Sequence, residues 1–350
     1  ITNTLHRLIR AQERSIVFIQ GHGERSPERQ ANFDLSSFSQ HLTKQGFRIE
    51  TLNLANTLQI PENVSVLVLA GPQASFLPAE VRLLEDYIKS GGNLLWLADP
   101  LKDDAEQPMF GLLPLSELLG IEILNGVVVD PTTQQLGINR PDYAIIAEYP
   151  RHPLSNGFDT VTLFPQAAGI EMLPGYAVLQ GKESEAEEQE ASPTETKPDA
   201  ESSESDSPSS LTSFTSMPLL RTVERSWIET SPVVDSVQFN DLLDITGPIT
   251  IGMVLSRQIN NASGSREQRV MVIGDGDFLS NTFLGNGGNL TLGENIFNWL
   301  SHDEHFIAIP TRPRSDIRLN LSPTELSLLG GGVPDHYSPA ISHQRFFYLV

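Results

Sequence analysis

The sequence predicts a doubly wound α/β layer built on a mostly parallel sheet. Three observations carry this. Short apolar runs alternate with segments of helical periodicity through the first hundred residues. One run, Val64 to Ala70 (VSVLVLA), is almost wholly apolar, as in a central parallel strand covered on both faces. The order strand, helix, strand, strand, helix, strand is the order of two crossover units.

The elements follow in turn. Ile16 to Gln20 is a compact apolar strand that breaks at Gly21-His22-Gly23-Glu24. Leu35, Phe38 and Leu42 recur at helical spacing, and Gly46 stands where a helix closes in the left-handed conformation. Phe47 to Leu52 alternates as a strand. Gly71-Pro72 stops the Val64 run. Pro78 suits the first turn of a second helix, whose buried stripe is Val81, Leu84 and Ile88 before Gly91-Gly92. Asn93 to Ala98 (NLLWLA) is the next strand, ending at Asp99-Pro100. A short helix over Leu112 to Gly120 and a strand through Val127, Val128 and Val129 lead to the turn Asp130-Pro131.

Residues 1–131 are therefore expected to form the first part of an α/β sandwich. Residues 132–216 form a proline-rich, irregular insertion with scope for short strands. Within it, Lys182 to Ser210 carries no aromatic side chain and no aliphatic one larger than alanine. Such a segment cannot bury enough apolar surface to order itself, so residues 182–210 or thereabouts are expected to be a disordered acidic loop. It lacks the regular spacing of calcium ligands and reads as a solvated tether. Residues 217–302 return the chain to the sheet. Ile249 to Leu255 and Val270 to Ile273 are strands flanking a polar loop, Asn260 to Arg269, and Leu290 to Leu300 is a helix with Leu292, Ile296, Phe297 and Leu300 on one face. Residues 303–350 read as a loop-like extension. Its ending, Arg345 to Val350 (RFFYLV), suits the approach to a membrane helix and equally a C-terminal strand. The start at Ile1, without a signal-peptide pattern, reads as a fragment.

Composition excludes several functions. A formal charge of −21 over 350 residues argues against nucleic acid and against adhesion to anionic lipid through a basic patch. The absence of cysteine removes disulfides, thiolate metal sites and cysteine nucleophiles together. No run approaches the roughly 20 apolar residues that span a bilayer.

A second strand broken by glycines, Val272 to Phe278 (VIGDGDF), mirrors the first. If both belong to one parallel sheet and lie side by side, His22, Glu24, Asp99, Asp275 and Asp277 meet just past the strands' carboxyl ends, where open α/β sheets bind ligands. As a metal site, His22, Glu24, Asp275 and Asp277 would suit Mg²⁺ or Ca²⁺. The blander reading makes Asp275 and Asp277 caps of a turn and His22 a residue that pins its loop. Ser26 and Ser280 stand in no Gly-x-Ser-x-Gly elbow, and neither a Walker lysine nor a full dinucleotide fingerprint is present. Gly285 to Asn289 precedes a helix and reads as a flexible connector rather than an anion site.

Five motifs in register carry a resemblance: GHGE at 21–24, LVLAGPQ at Leu67 to Gln73, YIKSGGNLLWLADP at Tyr87 to Pro100, VIGDGDFLSN at Val272 to Asn281 and GENIFNWL at Gly293 to Leu300. Together they resemble the auxiliary, extracytoplasmic component of gliding-motility-type (Gld-like) ABC transport systems. The resemblance implies a class I glutamine-amidotransferase-like α/β fold, held at the periplasmic face of the inner membrane by flanking hydrophobic segments beside a permease and an ATPase. The amidotransferase nucleophile is a cysteine, so that activity does not carry over to this chain. The expected rim for a partner protein or polymeric substrate comprises His22, Glu24, Gln73, Asp99, Asp275, Asp277 and Asn281, with no catalytic residue, metal or cofactor. The alternatives are a metal-assisted hydrolase of cell-envelope glycans or peptides using His22, Glu24, Asp275 and Asp277, and a purely structural module of a transport complex.

Overall fold

In the computed structural model, which describes residues 14–101, 108–135, 137–174, 214–231, 237–261 and 264–303, apolar runs become strands covered on both sides. The chain opens with β1 (Ser15–Ile19), α1 (Ser36–Lys44), β2 (Arg48–Leu52), β3 (Val64–Ala70), α2 (Pro78–Lys89) and β4 (Leu94–Leu97). It continues through α3 (Leu113–Leu119), β5 (Ile121–Ile123), β6 (Val127–Val129), α4 (Thr132–Gln135), β7 (Tyr143–Ile146), β8 (Thr162–Pro165) and β9 (Ile170–Met172). It closes with β10 (Thr215–Arg221), β11 (Trp227–Glu229), β12 (Ile245–Thr246), β13 (Thr250–Asn261), β14 (Gly264–Ile273) and α5 (Asn289–Leu300). The acidic run at 182–210 and the extension beyond Asp303 lie outside the described residues.

The central sheet has seven strands in the order β10-β13-β14-β4-β3-β1-β2. From β14 to β2 every pairing is parallel, and β13 and β10 extend the sheet antiparallel. The fold is thus mixed α/β with a mostly parallel central sheet. Side chains of successive strand residues leave on opposite faces, so Ile16 and Phe18 enter one apolar layer and Val17 and Ile19 the other. Phe38 and Leu42 of α1 and Leu292, Ile296 and Phe297 of α5 close the first layer. Val81, Leu84 and Ile88 of α2 and Leu115 and Leu119 of α3 close the second. Gly46 follows α1 at φ +93°, the left-handed position its spacing predicts.

One expectation fails. The described residues of the polar loop expected at Asn260 to Arg269 are instead paired strand, Asn260 and Asn261 ending β13 and Gly264 to Arg269 opening β14 of a long antiparallel pair. Its polar side chains serve helix ends, whose last carbonyls have no partner within the helix. Gln268 donates to the carbonyls of Ile88 and Gly92, at 2.9 and 2.6 Å, and Arg266 to that of Gly91 at 2.8 Å. Arg257 joins the network through Gln268 Oε1 at 2.7 Å and the Ile88 carbonyl at 3.0 Å. At Arg257 and Gln268 polarity marks buried hydrogen bonding, while Ser265 and Arg266 remain exposed.

The insertion is short-stranded where described. β7 and β8 form an antiparallel hairpin, β9 pairs with β5, and β6, β11 and β12 make a three-stranded sheet. Gly285 to Asn289 is tied down, with Gly288 N–H donating to the Val161 carbonyl and Asn289 bonding both backbone groups of Leu163.

Candidate functional site

Parallel strands end on one edge, and that single fact gathers the glycine turns. The chain leaves β1 at Gly21-His22-Gly23, β3 at Gly71, β4 at Asp99 and β14 at Gly274, all at the carboxyl edge. The two glycine-broken strands are not side by side, however. β3 and β4 stand between β1 and β14, because the crossover through α2 places them in the middle. His22 and Asp275 therefore share an edge but belong to different clusters.

The first cluster is centred on Arg25. Its guanidinium grips Asp99 in a bidentate pair, Nη1 to Oδ2 at 2.8 Å and Nη2 to Oδ1 at 3.0 Å. Nε and Nη2 also donate to Asp277 Oδ1, at 3.0 and 2.8 Å. A planar donor fork matches carboxylates in this way, and a lysine could not. Burial opposes the Arg25 charge, but the two carboxylates outweigh it and hold the guanidinium more firmly protonated than usual. Arg25 N–H reaches the Ala70 carbonyl, and Gly276 N–H reaches Asp99 Oδ1, so the ends of β3, β4 and β14 are laced together.

Asp275 lies beneath this clamp, fully buried. Its Oδ1 accepts from Asp277 N–H at 2.6 Å, the turn-capping role, while Oδ2 has no hydrogen-bond partner among the described residues. Burial first, then repulsion from Asp277 and Asp99, pushes its carboxyl well above the ordinary aspartate range, against a smaller pull from Arg25. The folded state therefore keeps this proton in a pH range where the unfolded chain has lost it. The contribution of this group to stability is fully present below the ordinary aspartate value and is lost as pH rises through that window, with a slope of at most about 1.4 kcal/mol per pH unit. Asp275→Asn, which imitates the protonated form, is expected to flatten the decline. Denaturant unfolding between roughly pH 4 and 8 measures it, and an unchanged slope in the variant would disprove the assignment.

The second cluster is centred on His22. Its backbone N–H donates to Glu24 Oε2 at 2.7 Å, and its ring Nε2 meets Glu80 Oε2 at 3.0 Å. Nδ1 faces Glu24 Oε1 at 3.4 Å, and the ring stacks on Phe76 with centroids 3.9 Å apart. Glu80 also accepts from Leu77 N–H at the start of α2, which fixes its carboxylate. All three ionisable side chains are buried. The His22 carbonyl takes the N–H groups of Gln73 and Ala74, so the histidine pins the loop through backbone and ring alike.

Of the seven rim residues read from the sequence, Gln73, Asp99 and Asp277 retain solvent access at the edge. His22, Glu24 and Asp275 are inside. Asn281 is elsewhere in function: its side chain accepts from Ser37 N–H at 2.8 Å and donates to the Ala31 carbonyl, closing the first turn of α1. The quartet of the metal reading is divided between the two clusters, and among the described residues no three His, Asp or Glu side chains are placed to hold a metal ion. Arg25 and Glu80 are the residues the sequence reading missed. The signals were slight: a cation directly after GHGE, and an acid at the third position of a helix that begins with proline.

A model of auxiliary components, described as an ABC-type uncharacterized transport system, matches residues 13–181, just under half of the chain. That stretch holds β1 to β9 and both cluster centres, Arg25 and His22. The chain is in this part similar to an auxiliary component of an ABC-type transport system. No curated protein matches it. Among solved structures, the mmIFT52 N-terminal domain aligns with 82% of this chain and 97% of its own at 16% identity and a TM-score of 0.49. A putative ThuA-like protein from Bacteroides uniformis aligns at 15% identity over 82% of this chain and 90% of its own, with a TM-score of 0.41. A cytoplasmic protein from Salmonella typhimurium gives 12% identity over 83% and 98%, also at 0.41.

Proposed function

We propose that this chain is the extracytoplasmic accessory domain of a gliding-motility-type ABC transport system, anchored to the inner membrane in the full-length protein. It works beside a permease and an ATPase and binds a partner protein or polymeric substrate at the carboxyl edge of the sheet. The family match over residues 13–181 carries this reading. The chemistry of the edge supports a binding role. Arg25 spends its donors on Asp99 and Asp277, and His22 is wedged between Glu24, Glu80 and Phe76. Charges arranged in this way make a stiff, polar ledge, with Gln73, Asp99 and Asp277 as its accessible groups.

Purification of the tagged full-length protein from detergent-solubilised membranes tests the proposal. A permease and an ATPase are expected to co-purify in comparable amounts. Recovery of the protein with neither subunit would overturn it.

A further inference from the structure

The first and last described residues, Arg14 and Asp303, meet at one corner. Arg14 leads into β1 at the amino edge of the parallel strands, and α5 runs back to that edge before Asp303. Asn93, at the start of β4, donates to the Leu300 carbonyl at 2.9 Å, and Arg269 donates to that of Trp299 at 2.8 Å. The Arg14 guanidinium meets Asp303 Oδ2 at 2.6 Å, the two side chains being 12% and 5% exposed. It also donates to Asn298 Oδ1 at 3.3 Å and lies 4.1 Å from the centroid of the Phe47 ring.

The end of α5 is shaped for this meeting. His302 N–H reaches the Trp299 carbonyl at 3.0 Å, and Asp303 N–H reaches the Asn298 carbonyl at 2.8 Å. This crossed pair of bonds closes a helix through one left-handed residue, a place that glycine usually fills. Here it is filled by His302, at φ +58°. A side chain there is strained, and strain persists where the surroundings over-determine the conformation. The turn is what brings the Asp303 carboxylate back against Arg14.

A buried pair is screened by salt much less than a surface one, and loss of either partner abandons the other charge in the interior. The corner therefore resists parting. The ledge of Gln73, Asp99 and Asp277 lies at the other edge of the sheet, about 20 Å away, the length of a seven-residue strand such as β3.

We propose that Arg14 and Asp303 form a clasp by which the folded body is held to the rest of the full-length protein. The chain enters and leaves the body at this one corner, and the ledge is presented at the edge opposite the attachment. The proposal rests on the accessory-domain reading for what the ledge meets; the clasp itself does not.

This chain has no cysteine, so introduced pairs report without background. In the purified chain, Glu13→Cys with Glu304→Cys is expected to close to an intramolecular disulfide on oxidation, seen as faster migration on a non-reducing gel. Glu304→Cys with Gln30→Cys, which stands in the loop at the far edge, should stay open. Adding Arg14→Glu should slow closure about tenfold or more, by lowering the effective concentration of one thiol near the other. Adding Asp303→Arg as well should recover part of the rate, since the pair is then restored with its charges exchanged. A Glu13–Glu304 cysteine pair that fails to close would overturn the proposal, as would closure indifferent to Arg14→Glu or an exchanged pair no faster than the single reversal. The disulfide-locked full-length protein should still bring down permease and ATPase as the parent does. Recovery of these subunits with the parent alone would show that the corner must open, and would refute the clasp. Their absence from the parent sinks the transport reading instead, and the rates of closure then decide the clasp by themselves.

Discussion

Arg25→Met is expected to destabilise the protein by about 3 to 5 kcal/mol, the usual result of removing one partner from a buried charge network. The variant leaves Asp99 and Asp277 facing each other, with Asp275 behind them, and no cation to offset them. For a domain of this size the melting temperature should fall by roughly 6 to 15 °C. The double variant Arg25→Met with Asp99→Asn should recover part of the loss, since one of the abandoned charges is then gone. Calorimetry on the parent, both single variants and the double variant measures this. A loss in Arg25→Met below about 1 kcal/mol, the range of a surface pair, would show that the clamp is not structural.

Gly71→Ala is expected to fail by a related route. Gly71 ends β3 at φ +60°, where a side chain adds roughly 1 kcal/mol of backbone strain. A Cβ there would stand 1.8 Å from Arg25 Nη1 and 2.5 Å from Asp99 Oδ2. The bidentate pair cannot survive such an intrusion, so the expected loss is about 3 kcal/mol or more, strain and broken clamp together. The two effects separate in a cycle. In an Arg25→Met background the same alanine should cost less, because the guanidinium it displaces is already absent and only the backbone strain and the contact with Asp99 remain. Strict additivity of the two substitutions would show that Gly71 and Arg25 do not meet.

Gly276 belongs to the same design. Its Cβ position lies 2.3 Å from Arg25 Nη1, so glycines from two strand ends bracket one guanidinium. The glycines that drew notice in the sequence as strand breakers are thus also the room in which the arginine lies. Their purpose was hidden, since nothing near Gly71 or Gly276 in the chain announces an arginine.

The legible part of the site was its location. Apolar runs that stop at glycine or at Asp-Pro give strand ends, and parallel pairing puts those ends on one edge whatever the strand order. His22, Glu24, Asp99, Asp275 and Asp277 could be gathered on that ground. Their partners could not. Arg25 reaches Asp99 and Asp277 across 74 and 252 residues, and His22 reaches Glu80 across 58. Asn281 was read as part of the rim because it ends a glycine-broken motif, yet it caps a helix 244 residues away. The outer half of the β13–β14 hairpin, read as a polar loop between two shorter strands, was missed for a similar reason. Polar residues normally signal a loop, but here Gln268 and Arg266 answer carbonyls at the end of α2.

The order of residues was enough to establish a mixed α/β layer, the helix stripes and the edge where polar groups collect. Those features depend on periodicity and on where the backbone can turn, and both are local. Which charges neutralise one another, and which stay wet, emerged with the fold. Ion pairing depends on distances of a few ångströms between segments far apart in the chain. The placing of β3 and β4 between β1 and β14 is what separated the histidine from the aspartates and left Arg25 to join the strand ends.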